Sequence, residues 1–251
     1  MSKNFELLHQ MGKTPEMLHS NVEPALKDIA PVDLSQSTPT LQIDGVAREE
    51  VNKLVHRLFL VGGTDGPRHV VFSGTELGNG CSWMCVRAAE VLASQVGNSV
   101  CVVDCNLSSP SLHQQFGVEN HYGLADALVG DGPIREYARQ LSRPNLWLVS
   151  CGAPGDAQQL LASGRMRSRI AELRAEFDYV LLDVAPMSTG NHTMMFGSLL
   201  DGVVLVIKAN ATRRDSAREA VQQLRASNVR VLGVVMNQRT FPIPERIYKR
   251  L

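Results

Sequence analysis

Ser73-Gly74-Thr75-Glu76-Leu77-Gly78-Asn79-Gly80-Cys81-Ser82-Trp83 is the stretch on which the fold turns. An apolar run from His69 to Phe72 leads into it, and a helix-patterned run from Ser82 to Val96 leads out. A strand, a glycine-rich turn and a helix in that order form the setting of a phosphate-binding loop. Gly74, Gly78 and Gly80 let the backbone turn its N–H groups inward around an anion, and the helix N-terminus adds partial positive charge. Ser82 stands where such a loop places its Mg2+-binding hydroxyl. The strict pattern G-x-x-x-x-G-K-[ST] is not met. Its first glycine falls on Thr75, and its lysine falls on Cys81.

Outward from the loop, apolar runs alternate with helical patterns. Strands are expected at His69–Ser73, Val100–Asp104, Leu146–Ser150, Tyr179–Val184, Gly202–Lys208 and Val231–Met236. Most are continuously apolar, as strands buried on both faces should be. Helices are expected at Ser82–Val96, Gly123–Leu128, Ile134–Arg139, Met166–Glu176, Met194–Leu200 and Arg213–Ser227. This alternation predicts an α/β fold with a doubly wound, mostly parallel sheet, whose ligands sit beyond the carboxyl ends of the strands. Two carboxylates join the loop at that edge: Asp104 closes Val-Cys-Val-Val-Asp and Asp183 closes Tyr-Val-Leu-Leu-Asp. A carboxylate after an apolar strand needs water, a cation or a helix N-terminus. Singly, each is as well read as a loop cap. Together with the glycine loop, they fit a P-loop NTPase site in which Asp183 holds Mg2+ through its water shell and Asp104 orients the attacking group.

Ahead of this domain, Ala47–Leu60 carries an apolar stripe of Val51, Leu54, Val55 and Leu58 at helical spacing. A helix packed on the main domain is the plain reading; self-association is the functional one. Residues 1–46 read as a flexible N-terminal segment and linker. Phe5, Leu7, Leu8 and Met11 form a short apolar stripe there, and Pro15, Pro24, Pro31 and Pro39 interrupt the rest. The domain is expected over residues 47–240, and residues 241–251 form a C-terminal tail.

Composition narrows the classes. The 25 basic and 25 acidic residues cancel, so the overall charge does not point to nucleic acid or an anionic membrane. No apolar run approaches the roughly 20 residues of a membrane span, and Met1–His9 is too polar for a secretory signal. A cytoplasmic protein is expected. The five cysteines read as reduced thiols. Cys81-x3-Cys85 and Cys101-x3-Cys105 invite a zinc reading, but buried strand and inner helix positions make small hydrophobes of them instead. Cys81 has two readings: an inert replacement, or a reactive thiol whose pKa the helix N-terminus lowers.

Residues 48–236 resemble the cytoplasmic domain of bacterial tyrosine kinases of the capsule and exopolysaccharide type, within the MinD/ParA class of deviant P-loop proteins. The resemblance rests on Val102-Val-Asp104-Cys-Asn106 with Pro110-Ser-Leu-His113, on Asn120-His-Tyr-Gly123-Leu-Ala-Asp126, and on Leu160-Leu-Ala-Ser-Gly-Arg-Met166. Phe177-Asp-Tyr-Val-Leu-Leu-Asp183-Val-Ala-Pro186, Asp201-Gly202 and Val231-Leu-Gly-Val-Val-Met-Asn237 complete it. It implies a site for ATP or ADP with Mg2+; given the departures below, the expected binding is weak and no cofactor is required. Nucleotide contacts fall at Gly74, Gly78, Asn79, Gly80, Cys81, Ser82 and Trp83, with Asn237 beside the base. Metal contacts fall at Ser82, Asp104 and Asp183, and homo-oligomer contacts at Glu50, Lys53 and His56. It also implies a membrane-embedded polysaccharide chain-length regulator as a separate partner chain, recruiting the protein to the inner face of the membrane.

The departures are as informative. Cys81 replaces the loop lysine, Asn106 replaces a second aspartate, and Ser108 replaces an arginine. The oligomer motif E-x-x-R-x-x-R is reduced to Glu50, Lys53 and His56, and after Asn237 only Tyr248 remains of a tyrosine cluster. Neither Arg68 nor Arg87 is placed in sequence to stand in for the lysine, and no other lysine is close to the loop. Losing one preorganised charge-stabilising donor costs about 10²–10³ in rate. The expectation is therefore a catalytically degenerate scaffold or regulator of exopolysaccharide export. The alternatives are an active ATPase or autophosphorylating kinase with an atypical loop, and, less well supported by the Pro110-Ser-Leu-His stretch, a MinD-like positioning protein.

Overall fold

The computed structural model describes residues 45–153, 161 and 163–238. The expectations for the N-terminal segment and linker, for the C-terminal tail and for Tyr248 lie outside the described residues, save for Gly45 and Val46. Helix α1, Gly45–Val55, opens the described chain and runs on as a π-helical turn over His56–Leu60. Then follow β1 (His69–Gly74), α2 (Cys81–Gln95), β2 (Val100–Asp104), α3 (Leu112–Phe116) and α4 (Leu124–Val129). The chain continues through β3 (Arg139–Gln140), β4 (Leu146–Val149), α5 (Gly164–Glu176) and β5 (Tyr179–Val184). It ends with α6 (His192–Gly197), β6 (Gly202–Lys208), α7 (Arg214–Ala226) and β7 (Val231–Asn237).

The seven strands form one sheet in the order β3-β4-β2-β5-β1-β6-β7. All pairings are parallel except β3 with β4. β1 lies at the interior of the sheet, so its carboxyl end, where the glycine loop begins, is flanked by β5 and β6. The strand period of two sends alternate residues to opposite faces. Val70, Phe72, Val102, Leu181, Val204 and Val206 pack with α1, α2 and α3. Val71, Val103, Val180, Leu182 and Val203 pack with α4, α5, α6 and α7. A buried side chain of this kind stabilises the fold by roughly 1.5–3 kcal/mol relative to an exposed one, and both faces are lined with them. That is why the strands read as unbroken apolar runs.

Three local differences from the sequence reading have physical causes. Ile134–Arg139 is helical only in its first part. A single 3-10 turn, Ile134–Tyr137, gives way to β3, which pairs Arg139 with Leu148 and Gln140 with Trp147. The hairpin closes through Leu141 N–H to the Leu146 carbonyl at 2.9 Å, supplying backbone partners to an edge that a short helix would leave open. The short helix α3 was not foreseen. The apolar stripe of α1 is buried as expected at Val51, Val55 and Leu58, but the wider π turn also brings Phe59 inside, edge-on to Tyr179 at 5.9 Å.

Candidate active site at the glycine loop

The loop leaves β1 at Gly74 and curls over the end of β6. Thr75 N–H donates to the Val206 carbonyl at 3.3 Å. Asn79 is buried, and its Nδ2 donates to Thr75 Oγ1 at 2.8 Å and to the Val206 carbonyl at 3.1 Å. Gly78 and Gly80 adopt left-handed φ values of 79° and 74°, a conformation that costs glycine little and other residues more. A Cβ at Gly80 would collide with Asn237 Nδ2. That amide reaches across from the end of β7 to donate to the carbonyls of Asn79, at 3.0 Å, and Gly80, at 3.4 Å. Its Oδ1 accepts from Gln238 N–H. The structure therefore places Asn237 as a brace of the loop, with both amide groups engaged. Asn79 likewise points into the loop's own framework, and Trp83 packs its ring against the core beneath α2.

Helix α2 starts at Cys81. Its first backbone bond is Met84 N–H to the Gly80 carbonyl at 3.1 Å, so the N–H groups just ahead are available to an anion. Beneath this terminus lie the two aspartates. They are partners in register on adjacent strands, and both point to the α2 face. Their circumstances differ. Asp104 is fully buried, and three N–H groups satisfy it: Asn106 to Oδ1 at 3.2 Å, and Ser111 and Leu112 to Oδ2 at 3.0 Å each. Burial raises its pKa, and those three bonds oppose the rise. Asp104 thus anchors the start of α3, the loop-capping alternative read from the sequence, whatever further part it plays.

Asp183 is equally buried, yet neither carboxylate oxygen has a hydrogen-bond partner among the described residues. Burial first, and the charge of Asp104 second, push its pKa up to about 7. The Ser82 hydroxyl and the Cys81 thiol lie close enough to pull the pKa back in part, without completing a hydrogen bond of normal geometry. A buried carboxylate with two empty acceptors beside a helix-borne hydroxyl is a donor set suited to a hard divalent cation such as Mg2+. Asp183 and Ser82 would hold the ion, which would supply neutralisation of phosphate charge. Asp104 Oδ2 already accepts two backbone N–H groups and Oδ1 one.

Cys81 is half-buried, and its pKa is raised well above the ordinary thiol value by burial and then by Asp183. Burial first, and the neighbouring carboxylate second, keep the proton on sulfur, which counts against the reactive-thiol reading. Cys85, Cys101, Cys105 and Cys151 are free and buried. Among the described residues no group of three or more His, Cys, Asp or Glu side chains is placed to hold a metal.

The other arginines weighed from the sequence are engaged elsewhere. Arg87 is buried within α2 with its Nη1 2.6 Å from Glu90, and Arg68 lies 5.8 Å from the Tyr179 ring at the amino edge of the sheet. The sequence reading that no other lysine approaches the loop is incomplete. Lys208 ends β6, two residues beyond Val206, which pairs in register with Gly74 and whose carbonyl the loop grips. Its partner across β7 is Asn237. The signal was available: a charge closing an apolar strand is the pattern that singled out Asp104 and Asp183.

On α1, Glu50 and Lys53 are exposed and pair with each other at 2.9 Å, and Lys53 also meets Glu49 at 3.0 Å. His56 is exposed where the π turn begins. These three share the outer surface of the helix. Among the described residues no helix is long and apolar enough to cross a membrane.

Comparison with known proteins agrees with the fold. The ParA family, described as NUBPL iron-transfer P-loop NTPase, matches residues 68–249. The putative tyrosine-protein kinase EpsB of Ralstonia nicotianae is 32% identical over 173 residues, 68% of this chain and 23% of EpsB. The tyrosine-protein kinase YwqD of Bacillus subtilis is 29% identical over 64% of this chain and 68% of its own. The chain thus spans about a quarter of the EpsB proteins. Among solved structures, the VpsO kinase domain superposes with a TM-score of 0.70 at 22% identity, covering 78% of this chain and 97% of that one. The kinase domain of the Escherichia coli tyrosine kinase ETK gives 0.67 at 19% identity, covering 78% and 79%.

Proposed function

Since the chain belongs to the ParA family of P-loop NTPases, with bacterial tyrosine-protein kinases among its relatives, we propose that it is a nucleotide-binding regulator or scaffold with little phosphoryl transfer, serving exopolysaccharide assembly and export. One observation carries the reading. At the position of the loop lysine stands a protonated thiol, facing a buried carboxylate that has no partner among the described residues. The loop itself keeps its left-handed glycines, its buried asparagine and its helix terminus. Such a site retains backbone donors for phosphate and a carboxylate for Mg2+, and lacks the loop's own charge on the transferring group. Phosphoryl transfer depends almost wholly on positioning and charge stabilisation, so rate suffers more than binding.

The polysaccharide setting comes from relatives, among them the succinoglycan biosynthesis transport protein ExoP of Rhizobium meliloti, 26% identical over 63% of this chain. A membrane-embedded chain-length regulator as partner, recruitment to the inner membrane face and self-association through α1 belong to the same proposal. The competing reading is an active kinase or ATPase. The oxygens of Asp183, without partners among the described residues and beside Ser82, favour it, because they suit a divalent cation.

Incubation of the purified chain with radiolabelled ATP and Mg2+ separates the two. The expected result is ATP binding by calorimetry with turnover and autophosphorylation at background. Turnover above background that disappears in Asp183→Ala would establish the active reading. Cys81→Lys is expected to raise ATP affinity by about tenfold or more, the size of a restored charged hydrogen bond.

A further inference from the structure

We propose that Lys208 supplies the phosphate-directed positive charge that the glycine loop lacks at Cys81. The assignment rests on the nucleotide-binding reading above and names the residue by which that site would hold phosphate. Lys208 is the last residue of β6, on the strand beside β1 and at the same carboxyl edge. By strand period it shares a face with Val204 and Val206, which pack in the cluster beneath α2. Asp104 and Asp183 point to that same face. The loop closes over this strand end from both sides. Val206 accepts from Thr75 N–H and Asn79 Nδ2, and Asn237, paired with Lys208 across β7, holds the Asn79 and Gly80 carbonyls.

The backbone of Lys208 is itself fixed. Its N–H donates to Thr212 Oγ1 at 3.0 Å, and its carbonyl accepts from Thr212 N–H at 3.0 Å. Its side chain is half-buried, and among the described residues its ammonium forms no hydrogen bond and no ion pair. A lysine ammonium is a compact charge on a flexible four-carbon stem. Anchored beside an anion loop without a partner, it is matched to the charge of a bound di- or triphosphate. The site therefore draws its cation from a neighbouring strand instead of from the loop.

Calorimetry of the whole 251-residue chain with Mg2+ and ATP, ADP, AMP or adenosine tests this. Lys208→Ala and the stem-preserving Lys208→Met are both used, with circular dichroism to verify folding. The expected result is a loss of about 10–100-fold in ATP and ADP affinity, little change for adenosine, and recovery to within a few-fold in Lys208→Arg. Wild-type and Lys208→Met proteins that bind ATP equally overturn the assignment and leave the nucleotide reading standing. An equal loss for adenosine also overturns it, since the residue then acts on the base side or on the fold. If wild-type protein binds none of the four ligands, the nucleotide reading falls, and the assignment falls with it.

Discussion

Single side chains set the character of the site, and Asp183 most of all. A buried carboxylate normally pairs with a cation or several donors; this one has neither among the described residues. Its carboxyl binds a proton more tightly in the folded protein, with a pKa of about 7, than in the unfolded chain, where about 3.9 is usual. Between those values the folded state holds the extra proton, so stability falls as pH rises through the window and stays low above it. The difference corresponds to on the order of 4 kcal/mol. Thermal melts of metal-free protein should therefore show a midpoint that drops from pH 5 to pH 8. Asp183→Asn should flatten that slope and melt higher than wild type at pH 8. A wild-type midpoint that stays flat from pH 5 to pH 8 would mean that an unseen partner holds the carboxylate ionised.

At the scale of elements, what matters is how strand ends and helix starts meet. Asp104 ties the end of β2 to the start of α3 through Ser111 and Leu112. Three backbone donors on one buried carboxylate make it more than a catalytic candidate. Asp104→Ala should destabilise the domain by about 2–3 kcal/mol, the size of hydrogen bonds to a charged group left unmade, read as a lower urea midpoint at unchanged slope. The aspartate was visible in sequence as a charge after an apolar strand; its partners were not, because α3 is five residues long and its pattern is too short to recognise. The loop shows the same division. Its glycines were legible one by one, whereas the brace from Asn237 joins residues 157 and 158 positions apart.

For the whole molecule, the sheet order decides which groups become neighbours. β6 lies beside β1 although α2, β2, α3, α4, β3, β4, α5, β5 and α6 separate them in sequence. The outer surface of α1, with Glu50, Lys53 and His56, faces away from the apolar stripe that fixes the helix to α2, which leaves it open to a second copy. Light scattering at tens of micromolar should show a concentration-dependent oligomer that Glu50→Ala together with Lys53→Ala reduces, with the melting temperature little changed because exposed i,i+3 and i,i+4 pairs contribute only about 0.3–0.5 kcal/mol each. A strict monomer in wild type would remove self-association from the proposed function.

The sequence by itself determined the doubly wound sheet, because six of the strands are continuous apolar runs and hydrophobic period is a local property. It also determined the loop, the two aspartates and the missing lysine, each marked by a residue type at a strand end. Only the tertiary structure decided what those groups do to one another. Burial beneath α2 leaves Asp183 without a partner among the described residues, while backbone donors satisfy Asp104. The same burial holds the proton on Cys81, and the parallel pairing of β6 with β1 brings Lys208 to the loop's edge. Desolvation and contact across the sheet depend on which strands are neighbours, and that order is not written in the spacing of residues along the chain.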